Sequence, residues 1–131
     1  MKILDLFFGK KHQKPKIFNT TDCDLARERW NHIDQLMNTR SPSAVRQAII
    51  EADKLLEFAL KKLVNDSQSL GENLKLAKDL FPSWSAYQQA WEAHKIRNAL
   101  VHESDFEPTH SMSKDTVEKF RLVLQVLGAL K

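Results

Sequence analysis

The sequence predicts an all-α fold, an antiparallel bundle of four to five helices. Apolar residues recur at the three- and four-residue spacing of a helix along most of the chain. Glycine and proline are scarce, with 3 and 4 residues among 131, which disfavours a fold rich in turns. No segment alternates apolar and polar residues as a β-strand does, and no internal repeat is present.

The length and composition suit one small globular domain. A chain of 131 residues with 42% apolar and 28% charged residues can bury its own core. Its single cysteine, Cys23, excludes an intramolecular disulfide and a metal site built from several cysteines. The net charge of +3 is mildly basic and does not by itself indicate a nucleic-acid partner. No apolar run reaches the roughly 18–20 residues of a membrane span, and we find no secretion signal, so we expect a cytoplasmic protein.

Residues 1–20 are predicted to form a leader, and residues 21–131 the bundle. The leader begins with the apolar stretch 3–8 and continues with four lysines, Lys10, Lys11, Lys14 and Lys16. Such a segment is solvated, packs on the bundle, or docks on an anionic membrane surface. We expect a solvated leader rather than a membrane contact, because an apolar helix there would be very short.

The first two helices have clear boundary signals. Helix one is predicted to begin at Thr21 or Asp22, both good N-caps, and to end near Asn38. Residues 41–43 mark a turn, with a proline just inside the next helix. Helix two, about Pro42 to Val64, has one broad apolar arc along its length. Its alanines allow another helix to approach closely.

Three further helices complete the bundle. A short third helix around Leu74 ends before Pro82, because proline disfavours helix in the residue before it. Helix four is predicted from about Ser83 to Val101. A polar loop separates it from helix five, which runs from about Ser113 to Leu130.

Helix four carries polar residues on the face that should be packed. At about 100° per residue, its apolar arc comprises Trp84, Ala86, Tyr87, Ala90, Trp91, Ala93, Leu100 and Val101. His94, Arg97 and Asn98 fall within that arc. A buried, unpaired guanidinium would cost several kcal/mol, so Arg97 must pair with an acid, face a cleft or face a partner chain. Asp53, at the edge of the apolar arc of helix two, is the first candidate for that acid, and Glu51 is the second.

The position of His102 relative to these residues depends on where helix four ends. Arg97 and His102 are five residues apart, about 140° around an ideal helix, and share a face only if the helix ends or loosens near Leu100. The polar loop with Pro108 favours an end there. The polar residues on the packed face form either a structural ion-pair cluster or a functional site, and both interpretations stay open.

The segment 91–103, with the sequence WEAHKIRNALVHE, resembles the signature of HEPN domains (higher eukaryotes and prokaryotes nucleotide-binding). That signature is an arginine, commonly followed by a polar residue, and then a histidine after a short spacer. Arg97, Asn98 and His102 match it with a spacer of four. Some members place a glutamate and a lysine upstream. Glu92 stands at the glutamate position, whereas Ile96 replaces the lysine.

The resemblance extends over about Asp22 to Leu130, since residues 50–56 also look like a HEPN first core helix. The family includes endoribonucleases that need no metal ion, in toxins, phage defence and RNA processing. It also includes inactive members that bind nucleotides or proteins. In active members two protomers bring their motifs into one cleft. The resemblance therefore implies a homodimer, an RNA or nucleotide ligand and, for a toxin, an antitoxin-like protein partner.

The resemblance also implies roles for individual residues in an enzyme without cofactor or metal ligands. His102 would take a proton from the RNA 2′-hydroxyl or protonate the leaving oxygen. Arg97 would neutralise charge on the phosphate, and Asn98 would hold the phosphate or orient His102. The candidate supporting or binding residues are Glu92, His94, Asp53 and Glu51.

Two other functions stay open. In a non-catalytic HEPN-like module for nucleotides or proteins, Arg97, Asn98 and His102 would tie the bundle or a dimer together. The incomplete upstream extension and the modest net charge favour this alternative. A membrane-recruited adaptor that uses residues 1–16 is the third hypothesis.

Overall fold

The computed structural model describes residues 17–65 and 68–131, and every regular element in these two ranges is helical. The all-α prediction is thereby confirmed. None of these helices is both long and apolar enough to cross a membrane. The five α-helices are α1 (Thr20–Thr39), α2 (Pro42–Val64), α3 (Leu70–Leu76), α4 (Trp84–His102) and α5 (His110–Leu127), and a short 3-10 helix, Lys78–Leu80, follows α3.

The structure describes the predicted leader only from residue 17 onward. Residues 1–16, which contain its apolar stretch and lysines, lie outside the described residues. Phe18, however, is buried in the core, and Asn19 caps α1. The bundle therefore begins before residue 21, the boundary that the sequence predicts.

Side chains that cap the first turn set the helix starts. Asn19 Oδ1 accepts a hydrogen bond from the Asp22 N–H, and the Asp22 carboxylate accepts one from the Asn19 N–H. This reciprocal capping box starts α1 at Thr20, just before the predicted start. The Thr109 hydroxyl accepts a hydrogen bond from the Met112 N–H. It thereby starts α5 at His110, ahead of the predicted Ser113.

The end of α5 differs from the prediction for a related reason. Gly128 has a φ of 93°, a left-handed conformation in which glycine has no steric penalty, and it ends the helix at Leu127. Ala129 and Leu130 beyond it are buried. The apolar pattern therefore continues to Leu130 although the helix does not.

The central element of the bundle is α2, which packs against each of the other four helices. Its buried face comprises Val45, Ala48, Ile49, Ala52, Asp53, Leu55, Leu56, Ala59 and Leu60. The predicted boundaries and apolar arc of α2 are both confirmed. Asp53 is the charged residue in this face, and it lies where α4 also packs against α2.

The predicted apolar arc of α4 holds in its middle and fails at its ends. The buried apolar residues are Tyr87, Ala90, Ala93 and Leu100. Trp84 and Val101 are 61% and 42% exposed, so their predicted burial is wrong. Both lie in terminal turns of the helix. Trp84 is instead approached by Lys78, whose Nζ lies 5.5 Å from the indole centroid.

Burial predicts the cost of the same truncation at two leucines. Leu56 is fully buried on α2, so Leu56→Ala should destabilise the fold by roughly 2–5 kcal/mol through lost apolar burial and the cavity left behind. Leu76 is 56% exposed, and Leu76→Ala should cost less than about 1 kcal/mol. Urea unfolding followed by circular dichroism measures both. Equal losses would show that α2 is not the centre of the core.

Candidate functional site

The three polar residues on the packed face of α4 lie beside one another. His94 is 8% exposed, the Arg97 side chain is 28% exposed, and Asn98 is half-buried. Residues three and four positions apart lie on the same side of a helix, which explains why these side chains meet. The fully buried Ala90 and Ala93 on the same helix take little space beside them.

The buried Asp53 carboxylate of α2 receives these side chains. Its Oδ1 lies 2.8 Å from Nδ1 of His94, and its Oδ2 lies 3.5 Å from Nε of Arg97. The predicted pairing of Arg97 with Asp53 is therefore confirmed. Glu51, the second candidate acid, instead accepts a hydrogen bond of 2.7 Å from Gln47 on its own helix. Because a buried carboxylate without partners is costly, α4 has to supply polar groups at this point.

Asn98 closes these contacts into a ring of four side chains. Nη1 of Arg97 donates to Asn98 Oδ1 at 3.0 Å. Asn98 Nδ2 lies 3.3 Å from Nε2 of His94. We call Asp53, His94, Asn98 and Arg97 the polar ring. The helical wheel places three of these residues on one face, but it does not foresee the contacts that Asn98 makes with the other two.

The polar ring leaves part of the Arg97 guanidinium unused. A guanidinium carries five N–H donors. One on Nη1 is bonded to Asn98, and the Nε–H is buried without a hydrogen bond although it is at ion-pair distance from Asp53. Within residues 17–65 and 68–131, no acceptor is bonded to Nη2. At least three donors therefore remain for a ligand.

The polar ring lines a groove of about 450 Å³ to which α2, α4 and the start of α3 contribute. The other lining residues are Glu57, Ser69, Leu70, Gly71, Trp91 and Lys95. The Trp91 ring meets His94 edge to face, with 6.2 Å between the centroids. Arg97 and Lys95 supply positive charge, Asp53 and Glu57 supply negative charge, and Trp91 supplies an aromatic surface. Asp53 is paired with Arg97, and Glu57 lies 3.6 Å from Lys61 on its own helix. These groups suit a ligand that carries a phosphate and a flat base.

His102, the last residue of α4, is exposed and lies outside the polar ring. The helix stays regular through His102, so the predicted end or loosening near Leu100 is wrong. One cause is Arg46 on α2, whose Nη2 donates a hydrogen bond of 2.7 Å to the Leu100 carbonyl oxygen. A cation on the last carbonyls stabilises a helix end. The sequence carries no signal for this contact, because it depends on where a single arginine side chain reaches.

The intact helix keeps Arg97 and His102 about 140° apart around its axis. Asn98 and His102, however, are neighbours at positions i and i+4. Asn98 is also the residue whose amide oxygen accepts a hydrogen bond from Arg97. In a single chain His102 therefore lies one helical turn beyond the polar ring.

Glu92 also lies outside the polar ring. It is exposed and pairs with Lys119 of α5 at 3.0 Å, and Lys119 also contacts Asp115 at 3.1 Å. Burial lowers the pKa of Lys119, but hydrogen bonds to Glu92 and Asp115 outweigh burial and raise it above the ordinary value. Glu92 thus ties α4 to α5 on the outside of the bundle.

No family model, curated protein or solved structure matches this chain. In the part of the chain that the structure describes, no group of three or more histidine, cysteine or acidic residues is placed to hold a metal ion.

The two candidate acids should differ sharply in their effect on stability. Asp53→Ala should lower the free energy of unfolding by roughly 2–4 kcal/mol, because it leaves Arg97 without a counter-charge and removes the acceptor beside His94 Nδ1. Glu51→Ala should stay within about 0.5 kcal/mol, since Glu51 makes an exposed contact on its own helix.

A double-mutant cycle isolates the Asp53–Arg97 contact within that loss. Adding Arg97→Ala to Asp53→Ala should cost less than Arg97→Ala alone, with a coupling of at least about 1 kcal/mol measured by urea unfolding. Additive losses would mean that the two groups do not stabilise each other.

Proposed function

We propose that this chain is a HEPN-type domain that binds RNA and cleaves it without a metal ion, as a homodimer. The proposal rests on how Arg97 is held and on the donors that it leaves unpaired. Its guanidinium is held by Asp53 and Asn98 on the wall of a groove, yet it remains partly exposed and keeps free donors. An arginine fixed in this way is prepared to bind a phosphate through several hydrogen bonds at once.

RNA supplies the nucleophile in the proposed reaction. The 2′-oxygen forms a bond to phosphorus while the bond from phosphorus to the 5′-oxygen breaks, which leaves a 2′,3′-cyclic phosphate and a 5′-hydroxyl. One group must take the proton of the 2′-hydroxyl, and another must give a proton to the 5′-oxygen. Arg97 stabilises the negative charge that builds up on the phosphate oxygens.

His102 is the proposed acid or base. It is exposed, and it lies one turn beyond Asn98, whose amide oxygen accepts a hydrogen bond from Arg97. A phosphate held by Arg97 and Asn98 would thus lie toward the histidine. The second copy of the chain would supply the other proton-transfer group, as the HEPN resemblance implies.

A non-catalytic binding module is the second candidate, and the closed polar ring favours it. Asp53, His94 and Asn98 find their partners inside the ring, which is what a structural cluster requires. In this alternative Arg97 fastens α4 to α2, and His102 has no chemical role. Its signature is a wild-type chain that does not cleave RNA, together with a loss of stability in Arg97→Ala.

Cleavage assays separate the two candidates. The purified full chain is expected to cleave mixed single-stranded RNA in excess chelator and to leave 2′,3′-cyclic phosphate ends. Arg97→Ala and His102→Ala should each lower the rate by about 100-fold or more, because each removes a group that acts on the reacting atoms. RNA with 2′-O-methyl groups should not be cleaved, because its nucleophile is blocked.

Matched variants control for folding and for contamination. His32→Ala removes an exposed histidine on α1, and Arg29→Ala removes an exposed arginine there, so both should cleave at the wild-type rate. If the wild type does not cleave while Arg97→Ala is strongly destabilised, the ribonuclease proposal is wrong and the binding module is supported. A rate that is the same in all variants would indicate a contaminating nuclease.

A further inference from the structure

The hydrogen-bond partners in the polar ring determine where His94 carries its proton. A guanidinium nitrogen can only donate, so the Asn98 atom 3.0 Å from Arg97 Nη1 must be the amide oxygen. The other terminal atom of Asn98 is then the NH₂ group, which can only donate. It lies 3.3 Å from His94 Nε2, which must therefore accept and carry no hydrogen.

The remaining nitrogen of the imidazole completes this chain of donors and acceptors. A neutral imidazole without hydrogen on Nε2 carries it on Nδ1. That atom lies 2.8 Å from Asp53 Oδ1, which can only accept while it is ionised. All four side chains are thus consistent with one assignment, in which each hydrogen bond has one donor and one acceptor.

From this we infer that His94 is a positioning residue, held neutral with its hydrogen on Nδ1, which fixes the amide of Asn98 and through it the guanidinium of Arg97. The inference about proton placement stands on the ring alone. Its consequence for RNA rests on the proposed function. We assign no proton transfer to His94, since it is buried and both its nitrogens are engaged within the ring.

A protonated His94 is incompatible with the observed ring. Its Nε2–H would face the NH₂ group of Asn98, donor against donor. If the amide turned over to relieve this, its NH₂ group would face the Arg97 guanidinium instead. Either way one contact of the ring is lost, so the Arg97–Asn98 hydrogen bond and a proton on His94 Nε2 exclude each other. The charged groups that line the groove around His94 are Asp53, Glu57, Lys95 and Arg97.

Nitrogen-15 NMR of the full chain tests the proton placement directly. At about pH 7.5, long-range proton–nitrogen spectra should show His94 with a protonated Nδ1 and an unprotonated Nε2. Loss of one imidazole pattern in His94→Gln assigns the signals. The exposed His32 serves as an internal reference for an imidazole in solvent. A hydrogen on Nε2 of His94, alone or together with Nδ1, would overturn the inference.

Asn98→Asp tests whether the orientation of the Asn98 amide determines which nitrogen of His94 carries the hydrogen. Both oxygens of a carboxylate can only accept, so one accepts from Arg97 and the other requires a hydrogen on His94 Nε2. At the same pH this variant should show a protonated Nε2 on His94, and Asn38→Asp, an exposed change on α1, should not. An unchanged His94 spectrum in folded Asn98→Asp would refute the link.

RNA binding tests the positioning role. Gln can both donate and accept, as neutral His94 does, whereas Leu can do neither. Affinity for a 2′-O-methyl oligonucleotide, which binds but is not cleaved, should fall about tenfold in His94→Leu and be largely retained in His94→Gln. Circular dichroism confirms that both variants are folded.

The two proposals fail in different ways. Wild-type affinity in folded His94→Leu, with a wild-type protein that binds RNA, would overturn the positioning role and leave the proposed function standing. A wild-type protein that neither binds nor cleaves RNA would overturn the proposed function, and the NMR spectra would still decide the proton placement. If His94→Leu does not fold, His94→Phe, which keeps a ring beside Trp91 but has no hydrogen-bonding group, is measured in its place. Wild-type affinity for the oligonucleotide in folded His94→Phe would overturn the positioning role.

Discussion

The structure depends on one buried carboxylate. Asp53 is buried at the edge of the apolar face of α2, where an ionised group without partners would cost several kcal/mol. The facing helix must therefore carry a cation and a hydrogen-bond donor at the same point, and it does so with Arg97 and His94. This requirement explains why polar residues interrupt the packed face of α4. It also ties the orientation of α4 to α2, because the contacts form in one register.

Small side chains make that arrangement sterically feasible. Ala48, Ala52 and Ala59 are fully buried on α2, and Ala90 and Ala93 are fully buried on α4. Alanine side chains are short, so they leave room beside them for long polar side chains. The groove over the polar ring lies between α2, α4 and the start of α3. It is open enough that Arg97 keeps part of its guanidinium exposed while Asp53 stays buried.

Much of this could be predicted from the sequence, and the exceptions share a physical cause. The limits of α2 follow from the periodicity of its apolar residues. The pairing of Arg97 with Asp53 follows from the cost of an unpaired buried charge. Both can be recognised from the residue types alone. The contacts of Asn98 and Arg46 depend on side-chain conformations in three dimensions, and periodicity carries no information about them. Glycine at position 128 signals a helix end. Ala129 and Leu130 conceal that signal, because they are apolar and buried in the core although they lie beyond the helix.

A polar ring whose members bond one another is compatible with ligand binding, because its members differ in the number of hydrogen bonds that they can make. Asp53 and His94 are buried and use both their oxygens and both their nitrogens within the ring. Arg97 has five donors, of which the ring engages at most two. The ring therefore acts on Arg97 as a clamp of one hydrogen bond and one ion pair, and it leaves at least three donors unpaired. A phosphate that binds such a clamped guanidinium does not have to order it, which is the advantage of preorganisation. Structural stability and the proposed ligand binding would thus draw on different atoms of the same side chain.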